Sequence, residues 1–212
     1  MKIAYLSTFY PFRGGIAQYN AALMRAFEEM GHSVDAYTFS RQYPSILFPG
    51  DTQYVTDQDE VDQVKSTIIL DSVNPFSYMH TAKTIRKGAY DLLLMKFWMP
   101  FFGPSLGYIA GKMQDATRSI AILDNVIPHE KRIIDMPFTR YFLKRTDGYV
   151  VMSETVRKDL LSLKPDARYI THPHPLYDHF GAAVDKEAAC QKLGMDSSKK
   201  TLLFFGFIRD YK

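Results

Sequence analysis

Residues 3–31 constrain the fold of this chain more than any other stretch. A short apolar run at 3–6 leads through Pro11-Phe12-Arg13-Gly14-Gly15 into a segment where Ile16, Tyr19, Leu23, Phe27 and Met30 recur at steps of three or four. Such steps put side chains on one face of a helix. The pattern predicts a strand, a glycine turn and a helix, which is the opening unit of an α/β domain. Glycine lets another group approach the backbone closely, and the first turn of a helix carries N–H groups and a partial positive charge. Gly14 and Gly15 are therefore candidates to hold an anion such as a phosphate. A tight turn with no ligand would ask for the same residues. Pro-x-x-Gly-Gly is not GxGxxG, and it lacks the Lys-Ser/Thr pair of a P-loop.

Further along, Gly31-His32 predicts a helix stop and 33–39 a second strand. A β-α-β start of this kind implies parallel pairing through a right-handed crossover. Residues 40–66 read as a long polar connection with a short strand near 53–55. More strands are predicted at 67–70, 91–98, 119–123, 148–152 and 167–171. Helices are predicted at 75–87, 104–117, 137–145, 153–163 and 186–193. Asn74-Pro75 and Ser153 supply N-terminal signals for two of them. Gly107, Ala110 and Gly111 predict close packing of the third helix against a neighbour. The run His172-Pro173-His174-Pro175 blocks regular structure, and an apolar strand is expected at 201–205. This alternation predicts an α/β fold with a doubly wound parallel sheet.

Composition removes several alternatives. Apolar residues make up 46% of the chain and charged residues 23%, which argues against disorder. A formal charge of +3 is too small to imply nucleic-acid binding without a localised patch, so no nucleic-acid partner is expected. Cys190, the single cysteine, excludes an intramolecular disulfide framework and fits a reducing compartment. No apolar run approaches the roughly 20 residues of a spanning helix. Met1 leads directly into the first strand, so no leader is expected and the expected location is cytoplasmic. Lys131, Arg132, Arg140, Lys144 and Arg145 flank the apolar stretch 133–142. That suits either peripheral contact with an anionic membrane surface or an ordinary solvated helix face.

Four segments occur in a telling order: YPFRGGIAQYN, GHSVDAYTF, DNVIPHE and TLLFFGFIRDYK. Together they resemble the acceptor-side domain of GT-B glycosyltransferases, in particular the large retaining family numbered four. The resemblance implies a Rossmann-like sheet forming the N-terminal half of a GT-B architecture, with residues 1–180 as the acceptor-side domain. Residues 181–212 would be a linker helix and the first strand of a truncated donor domain, and this fragment alone is expected to be inactive. The implied reaction is transfer of a hexosyl group from a nucleotide sugar to a hydroxyl of a sugar or lipid-linked acceptor, with retention. The nucleotide sugar is a substrate, and neither a cofactor nor a metal is implied.

By the same resemblance, Gly14, Gly15, Arg209 and Lys212 would bind the donor phosphates. Asp124 and His129 would be catalytic, and Tyr10, Trp98 and Glu130 would contact the acceptor. Two departures stand out. Many relatives carry His where this chain has Asp124, and many place the phosphate-binding Arg where Phe207 stands.

Other readings of the same residues remain open. His129-Glu130 suits an acid/base pair or a helix cap. His172, His174 and His179 suit metal ligation or, with their interleaved prolines, a connector between domains. Tyr10, Phe12, Phe97, Trp98, Phe101 and Phe102 suit an acceptor groove or a core. A non-catalytic binding module for a sugar, lipid or protein partner is the alternative to an enzyme. A dinucleotide oxidoreductase is disfavoured, because Phe39-Ser40 occupies the end of the second strand where an acidic residue would be needed.

Overall fold

The computed structural model describes residues 1–44, 52–56, 62–128, 132–175 and 181–204. The chain divides into two compact units, Met1–His174 and Pro175–Lys212. In the first unit seven strands form one sheet: β1 (Lys2–Leu6), β2 (Ser33–Arg41), β3 (Ser66–Asp71), β4 (Leu92–Phe97), β5 (Arg118–Leu123), β6 (Gly148–Val151) and β7 (Tyr169–Thr171). Their spatial order is β3-β2-β1-β4-β5-β6-β7, and each neighbouring pair is parallel. Among the described residues five α-helices connect them: α1 (Gly15–Glu29), α2 (Pro75–Lys87), α3 (Gly103–Met113), α4 (Asp135–Leu143) and α5 (Glu154–Leu163). This is the doubly wound, Rossmann-like sheet that the alternation predicts. Strand order reverses at β1 and β4, so the crevice at the carboxyl ends of these strands is the expected ligand position.

Side-chain alternation splits the core between the two faces of the sheet. Leu93, Met95 and Phe97 of β4 join Leu106, Ile109 and Phe142 from the helices on one side. There the Phe97 and Phe142 rings stack at 4.5 Å and 7°. Leu94 of the same strand joins Tyr5, Ile122, Ala21 and Met24 on the α1 side. Phe12, Phe97 and Phe102 are buried, so three of the six aromatic residues that suited a groove belong to the core instead.

The small residues of α3 have the packing role expected of them, and Gly103 shares it. A Cβ on Gly103 would lie 2.4 Å from the Phe138 carbonyl oxygen, and one on Gly107 would lie 2.6 Å from the Tyr141 ring. Both predicted caps are present: Asn74 accepts from the Phe76 N–H at 3.0 Å and Ser153 from the Val156 N–H at 3.2 Å. The short strand near 53–55 is a single antiparallel bridge, Phe12 to Tyr54, which ties the long connection to the glycine turn.

The predicted first helix is present, and its buried residues are Ala17, Asn20, Ala21 and Met24. Tyr19, Leu23 and Phe27 of the apolar stripe pack partly buried against the core, and Met30, just past the helix, is 70% exposed. Small residues let the helix backbone approach the sheet, and the larger side chains of the apolar stripe flank that contact. In the second unit, α6 (Lys186–Leu193) is capped by Asp185 and ends at left-handed Gly194. Thr201 to Phe204 then form no strand, and Leu202 is 99% exposed. A strand exists through its ladder partner, and among the described residues none pairs with this segment.

Candidate functional site

The glycine turn lies at the carboxyl end of β1, on the crevice. Gly14 has φ 105 and ψ 173, a region open essentially to glycine alone. A Cβ there would meet nothing within 4 Å, so the backbone and not crowding requires glycine. Gly15 is the first residue of α1 and is absent from the positive-φ residues. The two glycines therefore differ in kind. Gly14→Ala is expected to destabilise the chain by about 1–3 kcal/mol through strain alone. Gly15→Ala is expected to be tolerated or slightly stabilising, by up to about 1 kcal/mol. Urea unfolding of the two variants checks the contrast.

Gly14 gives no side-chain cap to α1, and no acidic residue sits in the first helical turn. This end of the helix suits an anion. Beside it Tyr10, Phe12, Gly14, Ala17, Gln18 and Asp62 line a shallow pocket. Asp62 is held by both guanidinium nitrogens facing it from Arg25, and that hydrogen bonding keeps its carboxyl below the usual range. Tyr10 is 37% exposed and its carbonyl accepts from the Ser66 hydroxyl at 2.9 Å.

Asp124 follows β5 immediately, and its N–H donates to the Phe97 carbonyl at the end of β4 at 2.9 Å. With β4 lying between β1 and β5, strand spacing puts the two ends about 10 Å apart. Asp124 Oδ1 lies 2.8 Å from Lys96 Nζ; the Lys96 side chain is 1% exposed and that of Asp124 23%. Despite the short distance, the angles give neither of these two buried atoms a directed hydrogen bond among the described residues. The contact is an ion pair. Lys96 Nζ also sits 3.5 Å from the centroid of the Tyr19 ring on α1. Burial lowers the Lys96 pKa and raises that of Asp124, and each partner opposes the shift of the other. At 2.8 Å and an effective dielectric constant of about 20, their attraction is about 6 kcal/mol. Desolvation of the two ions is of comparable size.

A polar layer continues beneath this pair. The buried Tyr5 hydroxyl donates to Asn20 Oδ1 at 2.6 Å, and Asn20 Nδ2 donates to the Ser7 hydroxyl and the Thr8 carbonyl at 2.8 Å each. Asn20 thus locks α1 to the end of β1 and fixes the turn between them. Burial, with Tyr19 and Asp124 adding smaller effects, raises the Tyr5 pKa. His174 packs its ring 5.1 Å from that of Tyr19 and acts electrostatically on Asp124.

Trp98 lies just past β4. It is half-buried, its indole N–H donates to the Tyr43 hydroxyl at 2.6 Å, and its ring lies 4.4 Å from Phe102. Both its polar and its apolar surface already have protein partners. His129, Glu130, Arg209 and Lys212 lie outside the described residues, as does His179. Among the described residues no three His, Cys, Asp or Glu side chains converge as metal ligands. No helix among them is long and apolar enough to cross a membrane.

Sequence reasoning did not single out Lys96, Asn20 or the Tyr19 ring face. Lys96 carried a signal: it is the only charged residue in the apolar run 92–99. A strand buried on both faces cannot house an ammonium without a compensating group.

No protein-family profile matches the chain, and no curated protein sequence does. Solved structures do resemble it. An alpha-glucosyltransferase in complex with UDP and a 13-mer DNA containing a HMU base matches 83% of this chain and 43% of its own, at 11% identity and a TM-score of 0.53. An alpha-glucosyltransferase in complex with UDP-glucose and DNA containing an abasic site matches 82% of this chain and 42% of its own, at 10% identity and a TM-score of 0.51. The Anabaena Alr3699/HepE protein in complex with UDP has a TM-score of 0.49 at 13% identity, over 92% of this chain and 50% of its own. The chain thus spans about two-fifths of the first two structures. At these identities the likeness is one of fold: a parallel, Rossmann-like α/β sheet shared with part of each alpha-glucosyltransferase.

Proposed function

We propose that this chain is the acceptor-side half of a retaining glycosyltransferase that moves a hexosyl group from a nucleotide sugar to a hydroxyl of a sugar or lipid-linked acceptor. The observation that carries the reading is a carboxylate, Asp124, presented at the same carboxyl edge of the sheet as the glycine turn before α1. The fold likeness to glycosyltransferases in complex with UDP or UDP-glucose supports it. In this reading Gly14 and the first turn of α1 face the donor phosphates or the transferring sugar. Asp124 accepts a hydrogen bond from a sugar or acceptor hydroxyl. The bond from the anomeric carbon to the phosphate oxygen breaks and one to the acceptor oxygen forms. The acceptor proton leaves with the nucleoside diphosphate or passes to a base. Arg209 and Lys212 are assigned to the departing diphosphate, where cations stabilise the developing charge. His129 and Glu130 keep their assignments as an acid/base candidate and an acceptor contact, as Tyr10 and Trp98 do for the acceptor. Peripheral membrane contact belongs to this reading if the acceptor is lipid-linked.

The test measures nucleoside diphosphate release by the full-length protein across a panel of nucleotide sugars, beginning with UDP-glucose. Sugar, lipid-linked and DNA acceptors form separate arms. Asp124→Asn is expected to lower turnover about 100-fold or more, in the range expected for loss of a group that acts on the transition state. Undiminished turnover in that variant would remove Asp124 from the site. Nucleotide-sugar binding without turnover on any acceptor would favour the non-catalytic binding module.

A further inference from the structure

We propose that Lys96 is a positioning residue: from the buried side of β4 it holds Asp124 as a carboxylate at the mouth of the crevice. The inference rests on the reading of Asp124 as a site residue and assigns a role that the sequence did not suggest. Three observations converge on it. Lys96 is the penultimate residue of β4, in register with Ile122 of β5, and its side chain is 1% exposed. Its ammonium meets Asp124 Oδ1 on one side and the face of Tyr19 on another. Oδ1 is itself buried, so the 23% exposure of Asp124 belongs to the rest of its side chain. One oxygen is thus turned inward to the ammonium while the group as a whole stays reachable from solvent.

Stability alone gives a poor account of such a pair, because well-packed apolar residues of similar volume are commonly as stabilising as a buried ion pair. Its geometry does explain a fixed carboxylate. The backbone N–H of Asp124 is anchored on Phe97, and Oδ1 on Lys96. Two anchors on the neighbouring strand β4, one on the backbone and one on Oδ1, leave the side chain little freedom to rotate. Among the described residues, the other titratable groups that act on the pair are Tyr5 from β1, Tyr19 from α1 and His174 beyond β7.

The experiment is a carboxyl 13C NMR titration of the aspartate-labelled 212-residue chain, with the Asp124 signal assigned by its loss in Asp124→Asn. The wild-type chain is expected to show Asp124 ionised at pH 7. In Lys96→Met, whose side chain fills the volume of the lysine stem, Asp124 is expected to gain proton affinity by about tenfold or more. Lys96→Arg is expected to restore most of the difference. A role for Lys96 in filling space alone predicts an unmoved titration in Lys96→Met. Asp124 protonated at pH 7 in the wild-type chain, or an unmoved midpoint in folded Lys96→Met, overturns the proposal. If Lys96→Met does not fold, the wild-type titration decides. The functional reading fails separately: undiminished turnover in Asp124→Asn of the full-length protein removes it and leaves the measured pairing intact.

Discussion

Asp124→Ala is expected to cost the Met1–His174 unit about 3–5 kcal/mol in urea unfolding, the range for breaking a buried ion pair from one side. The large figure follows from which partner is stranded. Lys96 is 1% exposed, so its ammonium depends on the carboxylate for compensation. Its alternative is to release the proton, which at pH 7 costs about 5 kcal/mol from the ordinary lysine pKa and sets a ceiling on the loss. Lys96→Met/Asp124→Ala removes both charges and is expected to return to within about 1–2 kcal/mol of the parent chain. A double variant as unstable as Asp124→Ala would mean that the two side chains are not coupled.

The pair also gives stability a definite dependence on pH. Burial raises the folded pKa of Asp124, with Lys96 opposing. Its contribution is therefore full below the ordinary carboxylate range and is lost as pH rises through the raised value. Lys96 runs the other way. Its folded pKa is lowered by burial, so its contribution is full above the ordinary lysine range and is lost as pH falls through the lowered value. With both groups ionised, the fold carries the two charges at some cost. The double variant is expected to flatten this part of the pH profile relative to the parent.

Phe97→Ala is the second large effect, at about 3–5 kcal/mol. Phe97 is fully buried and its ring lies parallel to that of Phe142 at 4.5 Å. Truncation leaves a cavity between β4 and α4 that the surrounding structure can fill only by moving one of them. Such movement is restricted, because α4 packs on α3 where Gly103 meets the Phe138 carbonyl. The Phe97 carbonyl also receives the Asp124 N–H. Under the proposed function, the variant is therefore expected to lower nucleotide-sugar turnover in the full-length protein as well as stability. A loss below 1 kcal/mol in urea unfolding would show that the aromatic stack contributes little.

The elements were largely legible because local patterns agree with the tertiary answer here. Alternating apolar runs and helical stripes, with Asn74, Ser153 and Gly31 as punctuation, are each set by residues within a few positions. The candidate site was legible at one level, that of position in the sheet. Asp124 and the glycine turn stand at strand ends, where loops carry function. Gly14 and Gly15 looked equivalent, since only backbone torsion separates a glycine that must be glycine from one that merely begins a helix. The strand expected at 201–205 was read from apolar content, but a strand also needs a partner, and local sequence does not supply one.

The sequence by itself determined the α/β alternation, the parallel sheet that it requires, and the glycine turn that opens α1. Those properties follow from periodicity and backbone freedom, which act over short distances along the chain. The tertiary structure decided that Lys96 meets Asp124, that Tyr19 covers the ammonium, and that Asn20 ties α1 to the end of β1. Those contacts join residues 28, 77 and 13 positions apart (96 to 124, 19 to 96 and 7 to 20). They depend on β4 lying between β1 and β5 and on α1 crossing that face. A buried lysine in an apolar strand announces that it needs a partner, and only the order of the strands says which one it finds.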